Sequence, residues 1–286
     1  MTKDLYLLII ADVLLALNFA ATKAYQKGEG VSLKKGLLFN AALGFFSAAL
    51  FFALNGAKCS LTAFSAAMAL LMGALCVAYT CLGFKIMEKG NMTLYTVFLM
   101  TGGMAVPYIW GLIFLGEPFS YLRTAGLIII AAAIVMMNSG SCRPDKKTVL
   151  LCLSVFFLNG FVSVISKEHQ ISPGAVSSSD FVILTGAAKA VLSAFALLLK
   201  KNGREGVRFN RRAVLFAFLA AAASGISYLF QLKGALNLPA TVLYPFVTGG
   251  SIIFTALAGR IFFGEKLKGR TAIGIAACFL GTLMFL

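Results

Sequence analysis

Charge is scarce in this 286-residue chain, and acidic charge is scarcest: 10 Asp and Glu stand against 25 Lys and Arg, and charged residues make up 12% of the whole. So little polar surface cannot cover a soluble globule of this length. The chain has a single histidine, His169, which leaves no material for an HExxH zinc site and no Ser/His/Asp set. No paired carboxylates and no phosphate-cradling Gly-rich loop with its Lys are found, so an intramembrane enzyme lacks support and nucleotide-driven transport is disfavoured. The six cysteines, Cys59, Cys76, Cys81, Cys142, Cys152 and Cys278, show no CxxC spacing and mostly interrupt apolar runs. That spacing supports neither a disulfide framework nor a zinc site. The chain reads as a non-enzyme with no cofactor and no metal.

Apolar residues are plentiful: 60% of the chain is hydrophobic, and the mean hydropathy is +0.91. A bilayer core about 30 Å thick is crossed by about 20 apolar residues in a helix rising about 1.5 Å per residue. Ten runs meet that need: Leu5 to Ala24, Gly36 to Leu54, Leu61 to Phe84, Thr93 to Leu115, Leu122 to Asn138, Val149 to Ser166, Phe181 to Leu199, Ala213 to Leu232, Ala240 to Phe263 and Thr271 to Leu286. The first run is long, lacks a convincing cleavage site and reads as a span rather than a signal peptide. The fold class expected is an all-α integral membrane protein of ten transmembrane helices, multi-pass in the cell membrane. The formal charge of +15 sits in the connections rather than on one amphipathic face. It therefore reads as a topology signal and not as a nucleic-acid footprint.

The chain repeats itself. Phe114-Leu115-Gly116-Glu117 with Gly126 matches Phe262-Phe263-Gly264-Glu265 with Gly274, and Thr101-Gly102-Gly103 matches Thr248-Gly249-Gly250. Asn18 and Asn159 mark the opening span of each half, and the turn-rich stretch from Ser139 to Lys147 joins the halves. Residues 1–140 and 148–286 are therefore expected to be two five-helix repeats. An odd number of spans per repeat requires the second to insert upside down. The charges agree: the connection after span one carries Lys23, Lys27, Lys34 and Lys35, whereas its counterpart after span six carries only Lys167. The connection after span two carries only Lys58, and its counterpart runs from Lys200 to Arg212 with six basic residues. Matching loops have exchanged their positive charge, as inverted repeats require. Summed over the chain, 5 basic residues fall on the side of the termini, 19 on the other, and Lys189 lies inside a span. The bias puts the termini outside the cell.

Ten spans in two repeats, each with a Gly-Glu before its last span and a Gly nine residues on, resemble the EamA family of the drug/metabolite transporter superfamily. The resemblance covers essentially the whole chain. It implies a secondary transporter of small metabolites, often an exporter of amino acids or related compounds, with a central cavity between the repeats. Members commonly have cytoplasmic termini, and the charge bias of this sequence departs from that habit. Implied partners are a small-molecule substrate such as an amino acid or amine, a proton or counter-substrate, and the lipid bilayer, with a homodimer as an allowed assembly. The alternative is a non-transporting receptor or assembly subunit, which would be expected to bring a soluble domain or longer tails.

Polar side chains within spans must be matched or wetted. Asn18, Asn159, Tyr79, Tyr228, Gln231 and Tyr244 are the candidates for substrate contact, with helix-to-helix bonding or an interfacial belt as the plainer reading. Thr101 and Thr248 join them because Gly pairs and Pro107 or Pro245 weaken spans four and nine at matching depths. A break there would turn backbone groups toward a cavity, whereas close packing explains the same glycines. Asp12 and Lys189 are intramembrane charges, each costing about 2.5 to 3.5 kcal/mol at a helix centre. They are expected to form a pair across spans one and seven or to serve separately in substrate contact or coupling. Glu117 and Glu265 are expected to cap the helix that follows each, and His169 to lie in a solvated loop.

Overall fold

The structure, a computed structural model, describes residues 2–88, 92–137, 145–199, 210–264 and 269–286. Among them are ten α-helices and no strand: α1 Thr2–Glu29, α2 Leu33–Leu54, α3 Ala63–Glu88, α4 Met92–Ile113, α5 Tyr121–Met137, α6 Lys146–Ile171, α7 Ser178–Leu199, α8 Arg211–Asn237, α9 Ala240–Phe263 and α10 Gly269–Leu283. Eight are long and apolar enough to cross a membrane; α5 and α10, at 17 and 15 residues, are shorter apolar helices. The chain is a multi-pass membrane protein. The joining stretch from 138 to 144, the basic connection from 200 to 209 and Glu265 lie outside the described residues.

Local chemistry sets the helix ends. Ser32 accepts a hydrogen bond from the Lys35 amide and opens α2, Asp145 accepts from Thr148 and opens α6, and Asn210 accepts from Arg212 and opens α8. Gly264 closes α9 at φ 65°, and Gly116 turns the chain after α4 at φ 64°. An L side chain is strained in that left-handed region, so glycine is the fitting residue at both corners.

The most extensive helix pairings follow one rule. α1 packs on α8 and α6 on α3; α4 packs on α6 and α9 on α1; α3 packs on α7 and α8 on α2. Exchanging each helix for the one five places on converts one member of each couple into the other. α2 with α7, α4 with α9 and α5 with α10 map onto themselves. Backbones meet directly at two of these self-paired crossings. A Cβ on Gly44 would stand 2.5 Å from the Gly186 carbonyl, and one on Gly126 would stand 2.7 Å from the Gly281 carbonyl. Small residues at these points allow contact in a bilayer, where helices gain little hydrophobic energy by associating. The largest buried cluster gathers Leu8, Met104, Ile130, Leu243 and Phe285 from α1, α4, α5, α9 and the C-terminus. A second cluster, around Phe51, Met72, Phe181 and Leu232, joins α2, α3, α7 and α8.

Two expectations are corrected by this architecture. Spans four and nine do not break: α4 and α9 run through Pro107 and Pro245. Proline removes the N–H that would bond the carbonyl four residues earlier. In α4 the orphaned Gly103 carbonyl instead accepts from Ser163 Oγ at 3.2 Å, so a neighbouring helix supplies the missing donor. His169, expected in a solvated loop, is fully buried on the last turns of α6. It stacks on Phe181 with centroids 3.5 Å apart. Its Nδ1 accepts from the Gln170 amide at 2.9 Å, and its Nε2 lies 2.9 Å from Ser65 Oγ. A span read only by hydropathy ends at Ser166, because Lys167, Glu168 and His169 look like loop. Protein contacts rather than lipid satisfy those polar groups, and the helix continues to Ile171.

Candidate functional site

A cavity of about 440 Å³ lies among α1, α2, α3, α4, α6, α7, α8 and α9, lined from both halves of the chain; α5 and α10 contribute nothing to it. It falls within the 300 to 1,000 Å³ typical of small-molecule sites. Asn18, Tyr79, Asn159, Tyr228 and Gln231 line it, as do Tyr244, Thr248 and Lys189. Eight polar residues picked from the sequence thus share one space.

Thr101 is not among the lining residues: its hydroxyl donates to the Val97 carbonyl one turn back at 2.7 Å. Asp12 is also elsewhere. It is 1% exposed, both carboxylate oxygens have no hydrogen-bond partner, and it presses on Gly250, where a Cβ would stand 2.0 Å from Oδ2. The pairing of Asp12 with Lys189 is therefore corrected: Asp12 sits in the α1–α9 interface and Lys189 lines the cavity. The glycines of spans four and nine serve close packing, Gly102 on the Phe156 carbonyl and Gly249 on Thr282 Oγ1.

Several lining groups are already held by the protein. Asn159 Nδ2 donates to the Leu99 carbonyl at 2.8 Å, and Tyr244 donates to the Ser163 carbonyl at 2.6 Å. Tyr228 Oη lies 2.9 Å from Ser166 Oγ, and Gln231 Nε2 donates to Ser227 Oγ at 3.2 Å. These bonds fix side-chain direction, which is what a pre-formed site needs. Asn18 Oδ1 takes only a long bond from Thr22 at 3.5 Å. Lys189, near the middle of α7, makes no hydrogen bond or ion pair among the described residues. About 15 Å of helix separates it from either end, too far for its stem to carry the ammonium to an interface.

Ser163, Ser166, Ser224, Ser251 and Thr185 also line the cavity and were passed over as small residues in apolar runs. A signal for them exists in the spacing. Asn159, Ser163 and Ser166 stand at i, i+4 and i+7, as do Ser224, Tyr228 and Gln231, and Tyr244, Thr248 and Ser251. Each set forms one polar stripe along its helix.

At the end of the bundle shared by the termini, Glu117 and Trp110 of the first half bond to the second half, and Lys167 braces the second half internally. Glu117 takes the Ala240 and Thr241 amides at 2.6 and 2.8 Å, so it caps α9 and not the following α5, as the sequence had suggested. It folds back over Gly111, where any Cβ would stand 2.7 Å from its Oε2. Lys167 Nζ donates to the Ala235 and Leu238 carbonyls at 2.6 and 2.7 Å, which neutralises the end of α8. Trp110 Nε1 donates to Glu168 at 2.6 Å.

Residues 146–286, the whole second set of five helices, match the EamA-like transporter family. Through this half the chain is similar to the EamA-like family. A protein of known crystal structure superposes on this EamA-like chain with a TM-score of 0.80 at 15% identity, covering 99% of this chain and 97% of the other. That likeness concerns the fold. Two relatives, from Yersinia pestis (strain Pestoides F) and Yersinia pseudotuberculosis (serotype O:3, strain YPIII), are each 33% identical over 66 residues, which is 23% of this chain and 57% of theirs. Both are named Probable 4-amino-4-deoxy-L-arabinose-phosphoundecaprenol flippase subunit ArnE. The match spans little more than half the length of these relatives.

Proposed function

We propose that this EamA-like protein is a secondary transporter that moves a small polar metabolite, such as an amino acid or amine, out across the cell membrane by alternating access. The observation that carries the reading is one cavity lined from both halves by polar side chains that stand part-way along their helices. A packing core would not gather amide, phenol and ammonium groups there. The two halves, residues 1–140 and 148–286, act as inverted repeats that rock about the cavity. The exchange rule in the helix pairings and the swapped loop charges support that geometry. The bonds that Glu117 and Glu168 make across the two halves at the end of the termini support a reading in which that end is the closed one. A proton or a counter-substrate provides the coupling, with Asp12 as the proton-binding candidate because its carboxyl is buried without a partner.

A second reading follows from the names of the Yersinia relatives: a subunit of a flippase for a lipid-linked amino sugar. Both readings are tested by a thermal-shift screen of purified protein against amino acids, amines, nucleobases and sugars, followed by flux in liposomes for each hit. Ligand stabilisation follows mass action, so a substrate raises the melting temperature with concentration. A flat response in every class, without flux, removes the metabolite-transport reading.

A further inference from the structure

We infer that the cavity recognises an oxyanion, a carboxylate or phosphate on the cargo, through Lys189. This rests on the transport reading above and narrows it, retaining amino acids and excluding simple amines. Three observations support it. Lys189 lines the cavity without a hydrogen bond or ion pair of its own, and no Asp or Glu lines the cavity with it. Four of the acidic side chains are committed elsewhere. Glu117 caps α9, Glu168 accepts from Trp110, Asp180 accepts from Asn55 at 3.0 Å, and Asp12 presses on Gly250 outside the cavity lining.

The neutral groups around Lys189 favour the same sign of charge. The hydroxyls of Thr185, Ser224 and Ser251 donate to carbonyls of their own helices, so they add little to recognition. The Asn18 amide nitrogen is without a partner, and Gln231 Nε2 and Asn159 Nδ2 each have an N–H beyond the one already used. Four elements thus bring residues with N–H donor capacity and one cationic side chain to the lining of one space. An oxyanion satisfies an ammonium and several N–H groups at once, and charge-assisted bonds of this kind are the strong ones. A diamine would meet like charge with no carboxylate to offset it. For a zwitterionic amino acid, the carboxylate goes to Lys189 and the ammonium to the Gln231 or Asn159 carbonyl oxygens.

The experiment is binding by titration calorimetry on the purified full chain, with five probes of similar size: pentanoate, an amino acid, glycerol phosphate, pentanamide and putrescine. The expected result is saturable binding of one or more of the three oxyanion probes, weakened at least tenfold by Lys189→Met and restored to within about threefold by Lys189→Arg, which keeps the charge. Lys189→Glu is expected to exchange the preference and bind putrescine. Melting temperatures of the ligand-free variants show whether each is folded. Dihexanoyl phosphatidic acid beside glycerol phosphate separates the two sources of phosphate: a stronger response to the lipid assigns a headgroup, a stronger response to the free ester assigns a soluble anion, and both must depend on Lys189. Binding of pentanamide or putrescine in preference, unchanged in Lys189→Met, overturns the oxyanion assignment while leaving transport in place. Absence of binding and flux for every probe and for the wider screen overturns the transport reading itself.

Discussion

Glu117 and Thr241 are 124 positions apart and joined at 2.8 Å, the carboxylate of the first half accepting the opening amide of α9 in the second. The companion bond to Ala240 at 2.6 Å makes the cap bidentate. Helix N-termini leave amides unpaired, and a carboxylate there answers both the missing acceptors and the helix dipole. One residue therefore ties the halves together at the end of the bundle shared by the termini.

Removing that tie has a defined cost. Hydrogen bonds to charged groups are worth about 1.5–3 kcal/mol each, so Glu117→Ala is expected to destabilise the protein by about 2–4 kcal/mol. Glu117→Gln, which keeps one acceptor oxygen, is expected to lose about half as much. Thermal unfolding in detergent by intrinsic fluorescence reads both. Equal melting temperatures for wild type and Glu117→Ala would show that the cap does not hold the halves.

His169 gives a second stability prediction. His169→Ala removes the stack on Phe181 and leaves Ser65 and Gln170 without their imidazole partners, all in buried surroundings. A loss of about 2–4 kcal/mol is expected from cavity formation plus unpaired polar groups. The same unfolding assay measures it, and an unchanged midpoint would argue for the solvated loop that hydropathy alone suggests.

These two residues show where the sequence is legible and where it is not. The ten helical runs and eight of the polar cavity residues are visible because a bilayer demands long apolar runs and makes each polar side chain inside a span conspicuous. Helix partners are not visible. Nothing in the local pattern says that Glu117 reaches α9 instead of α5, that Asp12 faces Gly250 instead of Lys189, or that Lys167 ends on the carbonyls of α8. Those depend on which helices cross, and crossings are set by small-residue contacts such as Gly44 with Gly186, whose partners no single sequence names. Thr101 illustrates the same limit: it matches Thr248 in sequence, yet its hydroxyl bonds its own helix.

Asp12 separates folding from function. Its two oxygens are buried without a partner among the described residues, an arrangement that costs free energy and marks the carboxyl as a functional candidate. Asp12→Asn is expected to leave the melting temperature equal or raised and to lower flux at least tenfold. With no contact to Lys189, the folding effects of Asp12→Asn and Lys189→Met are expected to add in the double mutant. Flux at the wild-type level in Asp12→Asn, at equal expression, would remove Asp12 from the coupling mechanism.

Orientation follows from the 19 to 5 division of basic residues. On a cysteine-free background, Thr2→Cys is expected to react with an impermeant reagent in whole cells and Asn202→Cys to remain unlabelled. The opposite pattern would put the termini in the cytoplasm and reverse the side on which Glu117 closes the bundle.

The central claim is that cargo crosses through the cavity between the halves, and counterflow in proteoliposomes tests it most directly. The ligand giving the largest thermal shift is loaded inside, and radiolabelled ligand is supplied outside to wild type and to Thr248→Phe, which fills the cavity from α9. The account predicts saturable accumulation by wild type and its loss in folded, correctly inserted Thr248→Phe. Binding without accumulation in wild type, or undiminished accumulation in Thr248→Phe, would contradict it.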